Sequence, residues 1–328
     1  MIIGLGHNLG LTIAIDKALT NWFVKKRGLA FGVRFLIIGV CGVIVLPVVT
    51  WLVTTQGWRM TCLIWAGLMF IGVPLVWLFV KQKRPEYYGL LPDGAEVEPD
   101  LETDTDTMID RGVEYAVEAT GEVEFTLRQA MKTRSYWIIA MGWAGMMLIG
   151  GGVNIHMIPF LTDRGISPTV ASGMMAMMVF FTIPSRFLGG LLGDYFRREH
   201  LHFLLAGSFL LPAVGITAFL LNQTTAMVYV MLAMYGLGQG ASTPLKLLTG
   251  GRYFGRKAFT SIQGTAMAFS APISLLSPVY AGWIYDTTGS YIIAFITFAV
   301  IAAIGTVLML LLRPPKPPAD ITNVRKFV

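Results

Sequence analysis

The chain has 328 residues, 55% of them hydrophobic and only 13% charged, with a mean hydropathy of +0.64. A soluble domain carries roughly 25% charged residues, so this composition excludes a soluble globular protein and points to helices in a lipid bilayer. The net charge of +6 does not call for a nucleic-acid partner, because the cations sit in short loops, where they act as topology signals.

Apolar segments recur along the chain, each near the twenty residues that cross a ~30 Å hydrocarbon core as a helix. They predict helices over 1–20, 30–54, 59–80, 135–161, 169–192, 201–221, 225–248, 259–284 and 290–312. The first contains His7, Asn8, Asp16 and Lys17, and spans only if a protein-lined cavity receives them. No signal-peptide pattern is found, and Cys41 and Cys62 lie in apolar runs with no metal-like spacing, as packing residues do.

The loops alternate in charge. NWFVKKRG, the long stretch after KQKR, DYFRREH, GGRYFGRK and the tail hold 19 of the 25 Lys and Arg. The opposite set holds only Arg59 and Arg164. This asymmetry predicts a plasma (inner) membrane protein with its C-terminus cytoplasmic and, with nine spans, its N-terminus outside.

Residues 81–134 carry 13 of the 19 acids and form an acidic cytoplasmic linker, whose acids are expected to be solvating. Its end, EFTLRQAMKTRSYW, has the pattern of a short amphipathic helix on the membrane surface. The division is then 1–80 as three helices of a first bundle, 81–134 as linker, 135–312 as a complete six-helix bundle, and 313–328 as a cytoplasmic tail.

Two loops repeat. With Trp22 set on Tyr253, Phe23 falls on Phe254, Lys25 on Arg256 and Lys26 on Lys257, and past the next span Gly57 falls on Gly289. Spans one to three therefore repeat as spans seven to nine, the internal duplication on which many secondary transporters are built.

WFVKKRGLAFG resembles the loop after helix four of major facilitator superfamily transporters, particularly their monocarboxylate and oxalate/formate-type branches. SRFLGGLLGDYFRREH at 185–200 resembles that family's glycine–aspartate–basic signature between helices eight and nine. The resemblance implies an all-α polytopic membrane protein of the major facilitator type, partial, with about nine of twelve transmembrane helices, the first three lacking. It also implies a secondary active transporter that moves a small, monocarboxylate-like organic anion by alternating access, as symporter or antiporter. The partners would be that anion, a coupled proton or counter-anion, and the lipid bilayer. No cofactor and no metal is called for.

The same signature implies gating residues. Gly189, Gly190 and Gly193 would let two helices approach, and Asp194 would cap the start of a neighbouring helix, expected to be the one entered at GRKAFTSIQG. Lys25, Lys26, Arg27, Arg197, Arg198, Arg256 and Lys257 supply the cations of the gate; the plainer reading of Asp194, Arg197 and Arg198 is a turn marker. Tyr195 and Arg197 depart from the family's pattern.

Arg186 lies eight residues before Asp194, ~12 Å deeper along a helix, where a permanent charge faces a partner or an aqueous cavity. By resemblance it contacts the substrate carboxylate through paired hydrogen bonds; otherwise it bridges carbonyls or the signature loop. Thr182 stands where the family has an acid. Asn154 and His156 follow three glycines and precede Pro159, so the helix can loosen there beside a cavity. His156 is either a proton carrier or a hydrogen-bonded structural histidine, and Gln239 faces either cavity or packing. Arg34 and Lys246 are expected to snorkel toward the cytoplasmic interface, and Asp16 and Lys17 to reach the interface near them.

An enzyme is not expected, since HExxH, GxSxG and phosphate-cradling glycine loops are missing from the sequence. A non-transporting or truncated membrane protein is the alternative.

Overall fold

The computed structural model describes residues 12–79, 81, 83–96 and 104–318. Among the described residues there is no strand, and irregular segments such as 122–126 join the helices. His7, Asn8 and the end of the tail lie outside the described residues.

Helix α1 (Ile13–Trp22) leads into the KKR turn, and α2 (Arg27–Phe79) follows as one 53-residue run. A straight helix of that length would separate its ends by ~80 Å. Yet the Trp22 indole donates to the Lys81 carbonyl at 3.0 Å, beside the point where α2 begins. The chain therefore folds back on itself. It turns at Gly57, whose φ of 81° and ψ of 160° are open to glycine and strained for other residues. The element is a hairpin of two arms, matching the spans expected at 30–54 and 59–80.

The linker contributes two 3₁₀ turns (Pro85–Tyr88 and Pro92–Gly94), helix α3 (Thr105–Thr120) and the one-turn α4 (Leu127–Met131). Asp104 caps α3, Gly121 ends it in the left-handed conformation, and Thr126 with Gln129 forms a capping box on α4. The surface helix expected at 124–137 is thus only α4. Thr133 starts the next span by accepting from the Tyr136 amide, and that hydroxyl cap divides the segment in two.

The second bundle comprises α5 (Arg134–Asp163), α6 (Pro168–Tyr195), α7 (Leu201–Leu221), α8 (Thr225–Phe254), α9 (Phe259–Thr288) and α10 (Ile292–Leu310). Ser167 and Thr224 cap α6 and α8. Among the described residues six helices are long and apolar enough to cross a membrane, with the hairpin taken as one. Counting its two arms, and α8, which is equally long but more polar, accounts for eight of the nine expected spans. The ninth, expected at 1–20, lies mostly outside the described residues. The chain is a multi-pass, all-helical membrane protein.

The bundle's core is aromatic. Phe160 packs 4.8 Å from Phe295 and edge-on to Phe219, geometries that suit the ring quadrupoles. Helices α6 and α8 run parallel, because Gly236 faces Met178, Gly240 faces Thr182, Gly189 faces Ala241 and Gly193 faces Leu248. On its other side α6 meets the first arm of α2. A Cβ on Gly28 would stand 2.2 Å from the Gly190 carbonyl oxygen, and one on Gly32 2.9 Å from that of Phe187. Only small residues allow backbones so close.

Candidate functional site

At the end of that crossing Asp194 receives the start of α2. Its two carboxylate oxygens accept from the Gly28 amide at 2.8 Å and the Leu29 amide at 2.7 Å, the free N–H groups of a helix N-terminus. Arg252 of α8 lies 3.3 Å from the same carboxylate and also donates to the Gly193 and Phe196 carbonyls. The capping role expected of Asp194 is present, but its receiver is corrected. It is the helix entered at KKRGLAFG, in the first copy of the repeat, and not the one entered at GRKAFTSIQG. The two halves meet crosswise, so each copy's loop faces an element distant in the chain.

The linker completes this end of the molecule. Arg27 and Arg256 are wholly enclosed. Arg27 donates to the Phe23 and Thr20 carbonyls and holds Nη1 2.9 Å from Glu122 Oε2, close but off the hydrogen-bond axis. Arg256 donates to Glu86 at 2.9 Å and to the Asn21 and Gly112 carbonyls, with its Nε 3.8 Å from the other oxygen of Glu122. Two arginines, one from each copy, thus share one buried linker carboxylate and have a second in Glu86.

Asp93 accepts from the amides of Val24, Lys25 and Lys26 and from the Tyr115 hydroxyl. Burial first, and the Asp93 charge and hydrogen bond after it, push the Tyr115 phenol up to about 12. The expectation that the linker acids only solvate is corrected for Glu86, Asp93 and Glu122. Isolated carboxylates would pay heavily for burial, but these meet cations and backbone donors prepared for them.

The other expected gating residues divide. The Lys25 ammonium lies 4.9 Å over the Tyr115 ring. Arg198 donates to the Gly121 carbonyl at 2.8 Å, fastening the end of α3, and to the Tyr253 carbonyl; burial lowers its pKa. Lys26, Arg197 and Lys257 are exposed, and Arg197 lines an open cavity of about 620 Å³ between α3 and the α6–α7 turn.

Deeper in the membrane, the Arg186 guanidinium lies 6.0 Å over the Phe35 ring of α2. It has no hydrogen-bond or ion-pair partner among the described residues, and its Nε is buried. Thr182 turns its hydroxyl to the Met178 carbonyl and so offers Arg186 nothing. Asn154 and Gln239 come together: a Cβ on Gly150 would lie 3.4 Å from the Gln239 amide nitrogen, 3.4 Å from the Tyr235 hydroxyl and 4.0 Å from the Asn154 amide nitrogen. The Tyr235 hydroxyl is buried without a partner. His156 stands apart from them. Its Nε2 donates to the Pro278 carbonyl at 2.9 Å, and its Nδ1 accepts from the Tyr291 hydroxyl at 3.3 Å, so both ring nitrogens are occupied.

Two expectations for charged residues fail. Arg34 and Asp16 form a buried ion pair, and neither snorkels to the interface. Lys246 is 5% exposed and lies over the Trp143 ring, so it too stays inside. Asp16 and Lys246 line one cavity, whose other walls come from α2, α5 and α9.

Glycine-mediated crossings, a helix start capped by a signature aspartate, and repeated basic loops define a multi-pass helical membrane protein of the facilitator type. The family model of the Major Facilitator Superfamily matches residues 1–275, and the chain belongs to that superfamily. It is 24% identical over 313 residues to monocarboxylate transporter 12 of Xenopus laevis, covering 90% of this chain and 64% of that one. It is 22% identical over 295 residues to the uncharacterized transporter YycB of Bacillus subtilis, covering 88% and 64%. To the probable sulfoacetate transporter SauU of Cupriavidus necator it is 23% identical over 341 residues, covering 95% and 71%. The chain thus spans just under two thirds of the length of the first two of these relatives.

Proposed function

We propose that the protein is a secondary transporter that moves a small, monocarboxylate-like organic anion across the plasma membrane by alternating access, with Arg186 as a contact for the anion. The reading rests above all on one observation: a guanidinium inside a membrane-spanning helix, facing Phe35 of the other bundle, with no partner among the described residues. Such a charge is retained where something binds it, and a carboxylate matches its fork. The relative named for monocarboxylate transport supports that substrate class, and the one named for sulfoacetate, a dianion, supports only the broader class of small organic anions.

In this reading Asn154 and Gln239, gathered about Gly150 with Tyr235, line the path, and a proton or counter-anion accompanies the substrate. The clasp built on Asp194, Arg252 and the linker carboxylates is the cytoplasmic gate, and the charge of the loops puts the C-terminus on that side. Opening it exchanges buried ion pairs for water, so substrate shifts an equilibrium between closed and open states.

The protein reconstituted in proteoliposomes is expected to accumulate labelled pyruvate, and Arg186→Ala to reduce uptake at least tenfold with the thermal unfolding midpoint unchanged. Mutant uptake at the wild-type rate would remove Arg186 from the site. Absence of uptake by the wild-type chain would favour the alternative, a non-transporting member of the superfamily.

A further inference from the structure

Beneath the clasp, lining a cavity that Phe35 also borders, lies a cation with no role so far. Lys246 stands eight residues before the end of α8, ~12 Å in from that end. Because α6 and α8 run parallel in the register given by their glycines, Lys246 lies about one helical turn from the level of Arg186. It is 5% exposed, and its ammonium sits 4.1 Å from the centroid of the Trp143 ring. That aromatic face is its one contact of electrostatic kind. No hydrogen bond and no ion pair reaches it among the described residues.

The ammonium borders a cavity of about 110 Å³ shared with Asp16, Phe35, Trp143, Thr243 and Gln263. The rest of that lining is Thr12, Ile13, Leu247, Phe259 and Met267. Asp16 would be the natural counter-ion, but it is already held by Arg34. The walls therefore carry one positive charge without a carboxylate of its own, three aromatic side chains, two threonines and an amide. An ammonium desolvated against an indole face is only partly compensated. A carboxylate entering the cavity would supply the missing charge and the missing acceptor together. The volume is small beside the ~300–1,000 Å³ of sites for drug-sized ligands, so the acid has only a few carbons.

We infer that Lys246 is the anchor of a second anion subsite, which takes the carboxylate of a short-chain monoanionic acid and lays its apolar body between Trp143 and Phe35. Arg186, over the Phe35 ring, and Lys246, in the cavity that Phe35 borders, are then successive stations for one carboxylate. A dicarboxylate is excluded from this subsite, because the lining holds no second cation for its second charge, which would meet the Asp16 carboxylate instead. The inference rests on the reading of the protein as a carrier of small organic anions, and adds to it the size and charge of the acid.

The test is equilibrium binding of labelled pyruvate to the purified full chain in detergent, with acetate, octanoate and oxalate as competitors. Acetate is expected to compete, and octanoate and oxalate to compete at least tenfold less well. Lys246→Gln is expected to weaken pyruvate binding at least tenfold, and Lys246→Arg to retain most of it. Trp143→Ala, by enlarging the cavity, should move the preference toward octanoate, a change that loss of mere packing would not cause. A readout on the wild-type chain covers the case in which Lys246→Gln does not fold: pyruvate should slow reductive methylation of Lys246, followed by mass spectrometry, at least fivefold. Pyruvate binding by wild type with no protection of Lys246, or with equal binding by a folded Lys246→Gln variant, overturns the subsite and leaves the transporter reading standing. Wild-type protein that binds none of these acids overturns both.

Discussion

Among the described residues the largest side chains wholly enclosed in the protein are arginines, Arg27 and Arg256. An enclosed guanidinium is tolerable only while its partners stay in place, and removing one partner of a buried pair costs about 3–5 kcal/mol. Glu122→Gln leaves Arg27 without its carboxylate and Arg256 with one of two, so it is expected to lower the thermal unfolding midpoint sharply. The control is Glu124→Gln, which loses a pair with Arg84 that is partly exposed and worth about 0.2–1 kcal/mol. Equal shifts for the two variants would show that Glu122 carries no special load. Reading Glu122 from sequence fails for a definable reason. Composition over 81–134 reports a solvated acidic tract, and an average cannot single out Glu86, Asp93 and Glu122. The local pattern misleads as well: in GEVEF the acids alternate with Val123 and Phe125, which puts Glu122 on the face opposite Phe125, yet both are buried. Lys246 is misread for the opposite reason. The depth argument applied to Arg186, counting residues from the helix end, applies to Lys246 equally well, and snorkelling cannot cover ~12 Å.

The hairpin is legible as two spans because its apolar runs flank TTQGWR, and the positive φ of Gly57 explains why that segment can turn. Gly57→Val is expected to destabilise the protein by about 1–3 kcal/mol, the usual cost of a side chain in a sparsely populated conformation. The fold-back also has a topological consequence. Cysteines placed at Thr55 and at Lys81 should react with an impermeant maleimide from opposite faces of the membrane; labelling of both from one face would contradict the hairpin. The crossing of α2 on α6 is governed by contact distance. A Cβ at Gly28 falls 2.2 Å from the Gly190 carbonyl oxygen and 2.8 Å from Asp194 Oδ1. Gly28→Ala must therefore force the two helices apart, at about 1–3 kcal/mol for overpacking, and loosen the cap on α2. The motif names these glycines, but which helix each one touches depends on a packing register that spacing along one chain does not contain.

Across the whole molecule the duplication is legible in the loops, while the pairing between its copies is not. Sequence order suggests that Asp194 caps the helix after the next basic loop, some sixty residues on. Asp194 does pair with Arg252 of that loop, but the helix start it caps is at Gly28 and Leu29, 166 and 165 positions away. If the clasp is a gate, loosening it should expose the cavity beneath. A Thr243→Cys reporter in the cavity wall is then expected to react at least several-fold faster with a soluble thiol reagent when Glu122→Gln and Asp194→Asn are added. An unchanged rate would mean that the clasp does not control access. The crosswise pairing also sets an order in time. Glu122 cannot find Arg256 until 134 more residues have been made, and at ~5–20 residues per second that is roughly 7 to 27 s of synthesis. Through that interval Asp93 can already hold the KKR turn and Glu122 can meet Arg27, but Glu86 waits without its arginine. The half of the lock that joins the two copies is therefore a late contact, and the linker grips the first copy long before the second has left the ribosome.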